Sequence, residues 1–427
     1  MRFSRRSFFG VAPALRLTAQ SPNEKFLVAG MGCRGRARGL LYGFAALPEV
    51  EIVAVADVDS RQFADAVRGI AERQGREPKT TGDFRRLIED RDVDILVIGT
   101  PDHWHAIPAI LACQAGKHVY VEKPAGHNIR EGQRMLAAAR RYKRVMQVGI
   151  QSRSGTSYEA ACEYIRTGAL GKVHFAKGWE TTNQPNIGRP PDERPPAGVD
   201  YDMWLGPAPK RPFNRNRFHG SWRWFFDYGS GDLGNDGVHR LDYARRGLEA
   251  AFSAQGRKLP DWPSAVAASG GKFYFDDAQQ WPDTLLVSWE YPGALLVYEM
   301  RIWSRPPLHD EPEGAAVFGE NGYVILGNDA WRAYDAKGKL VTSGSGDGRE
   351  DDVRHKRDFL RAIRDGGLPS CDIAVGHVAS ALVHMGNISW RTGRRLVWDG
   401  AREEFSDPAA NRLLGRDYRA PWTLPEV

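Results

Sequence analysis

KFLVAGMGCRG (residues 25–35) decides how this chain folds. KFLVAG is a continuous apolar run ending in glycine, as expected of a strand buried on both faces. Gly30, Gly32 and Gly35 then follow the spacing G-x-G-x-x-G, with Arg34 among them. ARGLLYGFAAL (37–47) carries apolar residues at helical spacing. EIVAVAD (51–57) is a second strand, and it ends in Asp57. Strand, glycine turn, helix, strand and acid together make a dinucleotide cradle. The glycines let the backbone approach a pyrophosphate, and the helix N-terminus supplies free N–H groups. Asp57 would accept hydrogen bonds from the adenosine ribose. A carboxylate there repels a 2′-phosphate, so NAD is expected and NADP disfavoured.

The alternation continues. FRRLIED (84–90), HWHAIPAILACQAG (103–116) and REGQRMLAAARRY (130–142) have helical spacing. DILVIGT (94–100), HVYVEKP (118–124) and VMQVGI (145–150) read as strands. Repeated βα units imply a parallel sheet with right-handed crossovers, whose ligands sit at the carboxyl ends of the strands. Thr100, Pro101, Glu122, Lys123, Pro124 and Gln151 all fall at those ends, so one crevice is expected to hold them. Lys123 can act there as an acid or orient a substrate oxygen; a lysine capping strand-end carbonyls is the plainer reading. His103 and His105 in PDHWH suggest a metal pair, but a helix start capped by Asp102 explains them equally well.

After residue 150 the pattern changes. SGTSYEAACEYIRTGAL (154–170) has helical spacing and KVHFAKGWE (172–180) alternates like a strand. A polar, proline-rich stretch over 183–213 reads as a long excursion. AVAASGGKFYF (265–275), DTLLVSWEYP (283–292), ALLVYEMRIW (294–303) and the segment 315–326 read as consecutive strands, with a hairpin turning at Pro292-Gly293. Helices are expected over 352–366 and 373–393. The fold class expected is α/β. An N-terminal Rossmann domain (23–150) would be followed by a C-terminal α+β domain (151–427) with a large, mostly antiparallel sheet. An open sheet face with few helices over it predicts a homo-oligomer.

Composition narrows the partners. The chain has 427 residues, 59 basic against 53 acidic, and a net charge of +6 without a long run of one sign. No nucleic-acid arm is expected, and no stretch is apolar for long enough to predict stable membrane insertion. Cys33, Cys113, Cys162 and Cys371 have no metal-ligand spacing, and neither a disulfide nor a metal is expected. SRRSFFG (4–10) resembles a twin-arginine export signal, followed by a short apolar region interrupted at Arg16. Residues 1–22 therefore read as a degenerate export signal. A periplasmic or exported location is expected, with a cytoplasmic one left open.

AGKHVYVEKP (115–124), with GMGCRG, ADVD, GTPDHWH, VGIQSRS (148–154), WLGPAP (204–209) and HVASALVHMGNISWRTGR (377–394) in the same order, resembles one family. This is the glucose-fructose oxidoreductase/inositol dehydrogenase/rhizopine-catabolism (Gfo/Idh/MocA) family of NAD(P)-dependent oxidoreductases, and the resemblance covers residues 24–427. It implies that Lys123 works at the reacting carbon and that His239 is the acid/base. It also implies cofactor contacts from Gly30, Gly32, Arg34, Gly35, Asp57, Thr100, Pro101, His105, Glu122, Lys123 and Gln151.

GDLGNDGVH (231–239) departs from the family pattern, which has an acid four residues before the histidine. Here Asn235 holds that position and Asp236 follows it. Residues three and four apart share a helix face, so Asn235, Asp236 and Asp242 can all reach His239. Asp236 is carried as the catalytic acid, with Asn235 and Asp242 as substrate contacts. SWRWFFDY (221–228) offers Trp222 and Trp224 as sugar-stacking faces or as core, and Arg153 is a further candidate for the sugar. The expected activity is hydride transfer between NAD and a secondary hydroxyl of a sugar, glycoside or polyol. The alternatives are an NAD-dependent glycosidase working by oxidation, elimination, water addition and re-reduction, and a non-enzymatic binding module.

Overall fold

The computed structural model describes residues 25–427; the reading of residues 1–22 lies outside the described residues. The first domain alternates β1 (Phe26–Met31), α1 (Gly35–Ala45), β2 (Val50–Ala56), α2 (Phe63–Gln74), β3 (Lys79–Thr81), α3 (Arg85–Glu89), β4 (Ile95–Ile98), α4 (Ala106–Gln114), β5 (His118–Glu122), α5 (Ile129–Arg141) and β6 (Met146–Gly149). The six strands are all parallel, in the order β3-β2-β1-β4-β5-β6. Apolar composition explains the middle of this sheet: every residue of β4 and β6 is buried, and Leu27 alone in β1 is partly exposed. β3 is the polar KTT at the sheet edge, which is why its sequence carries no strand signal.

The second domain begins with α6 (Thr156–Arg166), β7 (Val173–Glu180), α7 (Tyr201–Leu205) and α8 (Val238–Ala254). β8 (Ala265–Gly271), β9 (Thr284–Tyr291), β10 (Ala294–Arg301), β11 (Glu313–Gly319), β12 (Gly322–Leu326), β13 (Ala330–Asp335) and β14 (Leu340–Ser345) follow. α9 (Gly348–Asp365), α10 (Ile373–Thr392), β15 (Leu396–Asp399), β16 (Glu404–Phe405) and α11 (Pro408–Asn411) complete the chain. Ten strands join in the order β14-β13-β12-β11-β7-β10-β9-β8-β15-β16, and only β7 and β10 run parallel. β9 and β10 form the expected hairpin: Tyr291 pairs Ala294 and Gly293 takes φ +84°. Among the described residues no helix is long and apolar enough to cross a membrane.

Two features position the site. α8 packs across β7 and β11, and it comes so close that a Cβ on Gly178 would lie 2.9 Å from the Arg240 carbonyl oxygen. The excursion after β7 then returns to the first domain as a strap. Ser60 N–H donates to the Gly198 carbonyl (2.9 Å) and Asp200 N–H to the Val58 carbonyl (2.8 Å). The carboxyl end of β2 is thereby tied to the second domain.

Candidate active site

A cavity of about 390 Å3 lies along the carboxyl ends of the parallel strands. Met31 to Arg36 form its floor, whereas Gly30 packs against Leu41 outside it. Gly32 has φ +99°, and a Cβ on Gly99 would come within 2.7 Å of Ala37, so strand and helix meet too closely for a side chain. The N-terminus of α1 has no side-chain cap, which leaves its first N–H groups facing the cavity for an anionic group. Asp57 accepts hydrogen bonds from the N–H of Cys33 (2.7 Å) and of Asp59 (2.9 Å). Burial raises its pKa to about 6, so it is an oriented carboxylate at neutral pH. An open helix N-terminus, a turn whose Gly32 and Gly35 take left-handed backbone angles, and a fixed acid beyond it fit a dinucleotide.

The strap supplies the cavity's outer wall through Met203, Trp204, His219, Gly220, Trp222 and Arg223. Its latch is His219, whose Nε2 lies 2.6 Å from Oδ2 of the fully buried Asp59. Arg61 also holds Asp59, through Nε at 2.7 Å. Burial raises the Asp59 pKa, but its bonds to Arg61 and His219 outweigh that and hold it below the usual carboxylate range.

At the opposite end the EKP turn enters the cavity. Glu122 accepts from Arg36 Nε (2.9 Å) and Gln151 Nε2 (3.2 Å), and Arg36 also reaches Asp352. Lys123 Nζ donates to the Asn235 backbone carbonyl (2.5 Å) and to Asn235 Oδ1 (3.3 Å). Asn235 sits in a single π-helical turn, residues 233–237, that leads into α8; such turns recur at functional sites. Its Nδ2 donates to Asp232 Oδ1 (3.1 Å) and Asp236 Oδ2 (2.9 Å).

Behind Asn235 stands an acidic cluster, Glu180, Asp232 and Asp236, with oxygens within 4.8 Å of one another. Burial and the two aspartates push Glu180 well above the usual range, and burial with Asp236 raises Asp232 to about 6. Asp232 Oδ2 is buried without a hydrogen-bond partner. Tyr298 and Thr182 hydroxyls donate to Glu180 at 3.1 and 2.7 Å. An all-oxygen set suits a hard cation. Here, however, N–H and O–H donors already point at these oxygens, the arrangement that a shared proton requires.

His239 lies in the first turn of α8, half-buried. Desolvation, and then the positive charges of Lys123, Arg240 and Arg36, push its pKa well below the usual value. It is a neutral imidazole at physiological pH, and among the described residues it accepts and donates no hydrogen bond. Neither Asn235, Asp236 nor Asp242 is its partner. Asp242 instead accepts from Arg153 Nε (3.0 Å) in a pair whose side chains are 1% and 10% exposed.

The remaining expected residues divide. Trp222, Thr100 and Pro101 line the cavity, whereas Trp224 is core. His105 joins the two strand-end loops, bonding the carbonyls of Pro124 (2.7 Å) and Thr100 (2.9 Å), and lies outside the cavity wall. His103 is likewise buried, its Nε2 2.9 Å from the Trp204 carbonyl. Arg36, Glu180, Asp232 and His219 went unmarked in the sequence. Only Asp232, inside GDLGNDGVH, stood next to a signal that could have found it.

Residues 25–150 match an oxidoreductase family's NAD-binding Rossmann fold, and residues 178–249 and 348–424 match that family's C-terminal alpha/beta domain. The chain belongs to the Gfo/Idh/MocA oxidoreductase family. It is 30% identical over 247 residues to levoglucosan dehydrogenase of Pseudarthrobacter phenanthrenivorans, covering 57% of this chain and 55% of that protein. It is 31% identical over 161 residues to a glycosyl hydrolase family 109 protein of Saccharopolyspora erythraea, covering 36% and 35%. The chain thus spans about half the length, or less, of these curated relatives. The solved levoglucosan dehydrogenase complex with NADH and levoglucosan has the same fold (TM-score 0.67, 20% identity, 88% of this chain and 99% of that one).

Proposed function

We propose that this Gfo/Idh/MocA protein interconverts a secondary carbinol of a sugar, glycoside or polyol and its ketone, with NAD+ taking the hydride in one direction and NADH giving it in the other. The observation that carries the reading is that Lys123, from the cofactor domain, bonds Asn235 in the turn that leads to His239, and that its charge helps keep the unpartnered His239 imidazole neutral. NAD, when bound, supplies the hydride acceptor. His239 takes the hydroxyl proton, which a neutral imidazole can do and an imidazolium cannot. Lys123 donates to the same oxygen and stabilises the negative charge that develops there. Trp222 offers an aromatic face in the cavity wall to a sugar ring. Similarity to levoglucosan and inositol dehydrogenases supports a carbohydrate or polyol substrate.

The test is a panel of glycosides and polyols, assayed for both NADH and released aglycone. Lys123→Ala and His239→Ala should keep NAD binding and lose turnover by a factor of about 10²–10⁴. Undiminished turnover in both variants would sink the assignment. A second reading, an NAD-recycling glycosidase, is favoured by the similarity to a glycosyl hydrolase family 109 protein. It predicts aglycone release without net NADH.

A further inference from the structure

Asn235 is bonded both to Lys123 and to the acidic cluster. We propose that it is the positioning residue of Lys123, and that Asp232 and Asp236 act on the lysine through it. The proposal rests on the reading of Lys123 as the group that meets the substrate oxygen.

The geometry is directional. A carboxamide has one donor end and one acceptor end. Both N–H groups of Asn235 are taken, one by Asp232 Oδ1 and one by Asp236 Oδ2. This fixes the amide so that Oδ1 faces Lys123 Nζ. The backbone carbonyl of Asn235 accepts a second ammonium N–H. An ammonium has three donors, so one remains for an oxygen in the cavity, and its direction is set by the other two.

The same geometry explains the departure from the family's spacing. An acid at 235 would be acceptor-only. It would leave Asp232 Oδ1 and Asp236 Oδ2 without their shared donor and place another carboxylate among three. An amide suits position 235 because its two N–H groups meet the acids at 232 and 236. Restoring the family's acid should therefore damage this protein, unless an amide is returned to the cluster at the same time.

The test uses the NAD-loaded full chain. Asn235→Asp should lower kcat by about tenfold or more, with NAD affinity held within about threefold, the signature of a loss confined to the transition state. Asn235→Asp combined with Asp236→Asn restores one donor amide and the original number of carboxylates. It should recover kcat to within about threefold of wild type. An Asn235→Asp variant as active as wild type, or a folded double variant with no recovery, overturns the proposal.

A second measurement needs no substrate. Asn235→Leu is close to isosteric and removes both ends of the amide. The rate at which a water-soluble acylating reagent modifies Lys123, read by peptide mass spectrometry against the other lysines, should rise about fivefold or more as the ammonium loses its side-chain partner and keeps only the backbone carbonyl at 235. An unchanged rate in a variant that still binds NAD overturns the proposal. A wild-type protein inactive on every sugar and polyol would refute the proposed function and leave this measurement standing.

Discussion

Replacing His219 by alanine tests whether the strap governs access to the cofactor. His219 gives Asp59 one charge-assisted hydrogen bond, at 2.6 Å, across the mouth of the cavity. Asp59 is not stranded by the change: Arg61 and Gln62 still donate to it, at 2.7–3.0 Å. The loss is that of one hydrogen bond to a charged group, about 1.5–3 kcal/mol. Two backbone bonds, from Ser60 to Gly198 and from Asp200 to Val58, remain. A latch can shift the open–closed balance by no more than its own differential energy, which sets the ceiling at a factor of about 10–150. If NAD leaves only through the open strap, its release accelerates by that factor. The assay is stopped-flow displacement of bound NADH by excess NAD+, followed by NADH fluorescence. His219 has φ +60°, a left-handed conformation that asparagine tolerates. His219→Asn therefore controls for backbone strain, and its shorter side chain should release NADH as the alanine variant does. Release within about twofold of wild type in both variants refutes the strap as the cofactor's cover.

Further outcomes follow from charge. Asp57→Ser removes the carboxylate that repels a 2′-phosphate and leaves Arg34 nearby in the cavity wall; the ratio of NADP to NAD affinity should rise by about 10² or more, measured by fluorescence titration. Burial depresses His103 to about 3 and His355 and His384 to about 4. The unfolded chain therefore binds more protons than the folded one below pH 6.5, and these residues lose stability as pH falls through that window, about 2 kcal/mol each by pH 5. Asp57 and Asp232, raised to about 6, run the other way and offset part of it. The net expectation is a clear drop in the urea midpoint between pH 7 and pH 5, and an unchanged midpoint contradicts it.

The first domain was legible because its signals are local. The glycines of β1–α1, the apolar run of β4 and the acid after β2 each state their role within a few residues. The strap was legible only as an irregular stretch. Its function depends on Asp59 and His219, 160 residues apart, and nothing local marks either one. β3 was missed because an edge strand needs no apolar face. The candidate site behaved similarly: Lys123 and His239 were marked by motif, whereas Glu180 and Tyr298, which bond each other in the cluster beside Asn235, come from strands that read only as sheet. His239 carried the opposite lesson. Helical spacing placed three polar residues near it, yet Asn235 bonds Lys123, Asp236 bonds Asn235 and Asp242 bonds Arg153. Spacing states which residues can meet; competition among partners decides which do.

That competition bears on the chemistry. A histidine with a carboxylate partner is biased toward the protonated form, as burial with a counter-charge dictates. His239 has cationic neighbours and no carboxylate bond, so a proton taken from a carbinol is held weakly and readily returned. With Asn235 setting its direction, as proposed above, Lys123 would keep its donor direction in both halves of such a cycle. A site built this way suits an oxidation that is later reversed as well as one that is not. Fast NADH release turns each oxidation into net product, and slow release keeps the reduced cofactor beside a keto-sugar until it is reduced again. If the strap covers the cofactor, the His219–Asp59 latch is where the dehydrogenase and glycosidase readings part. The rate of NADH release, measured against the rate of carbinol oxidation on whichever sugar the protein turns over, separates them.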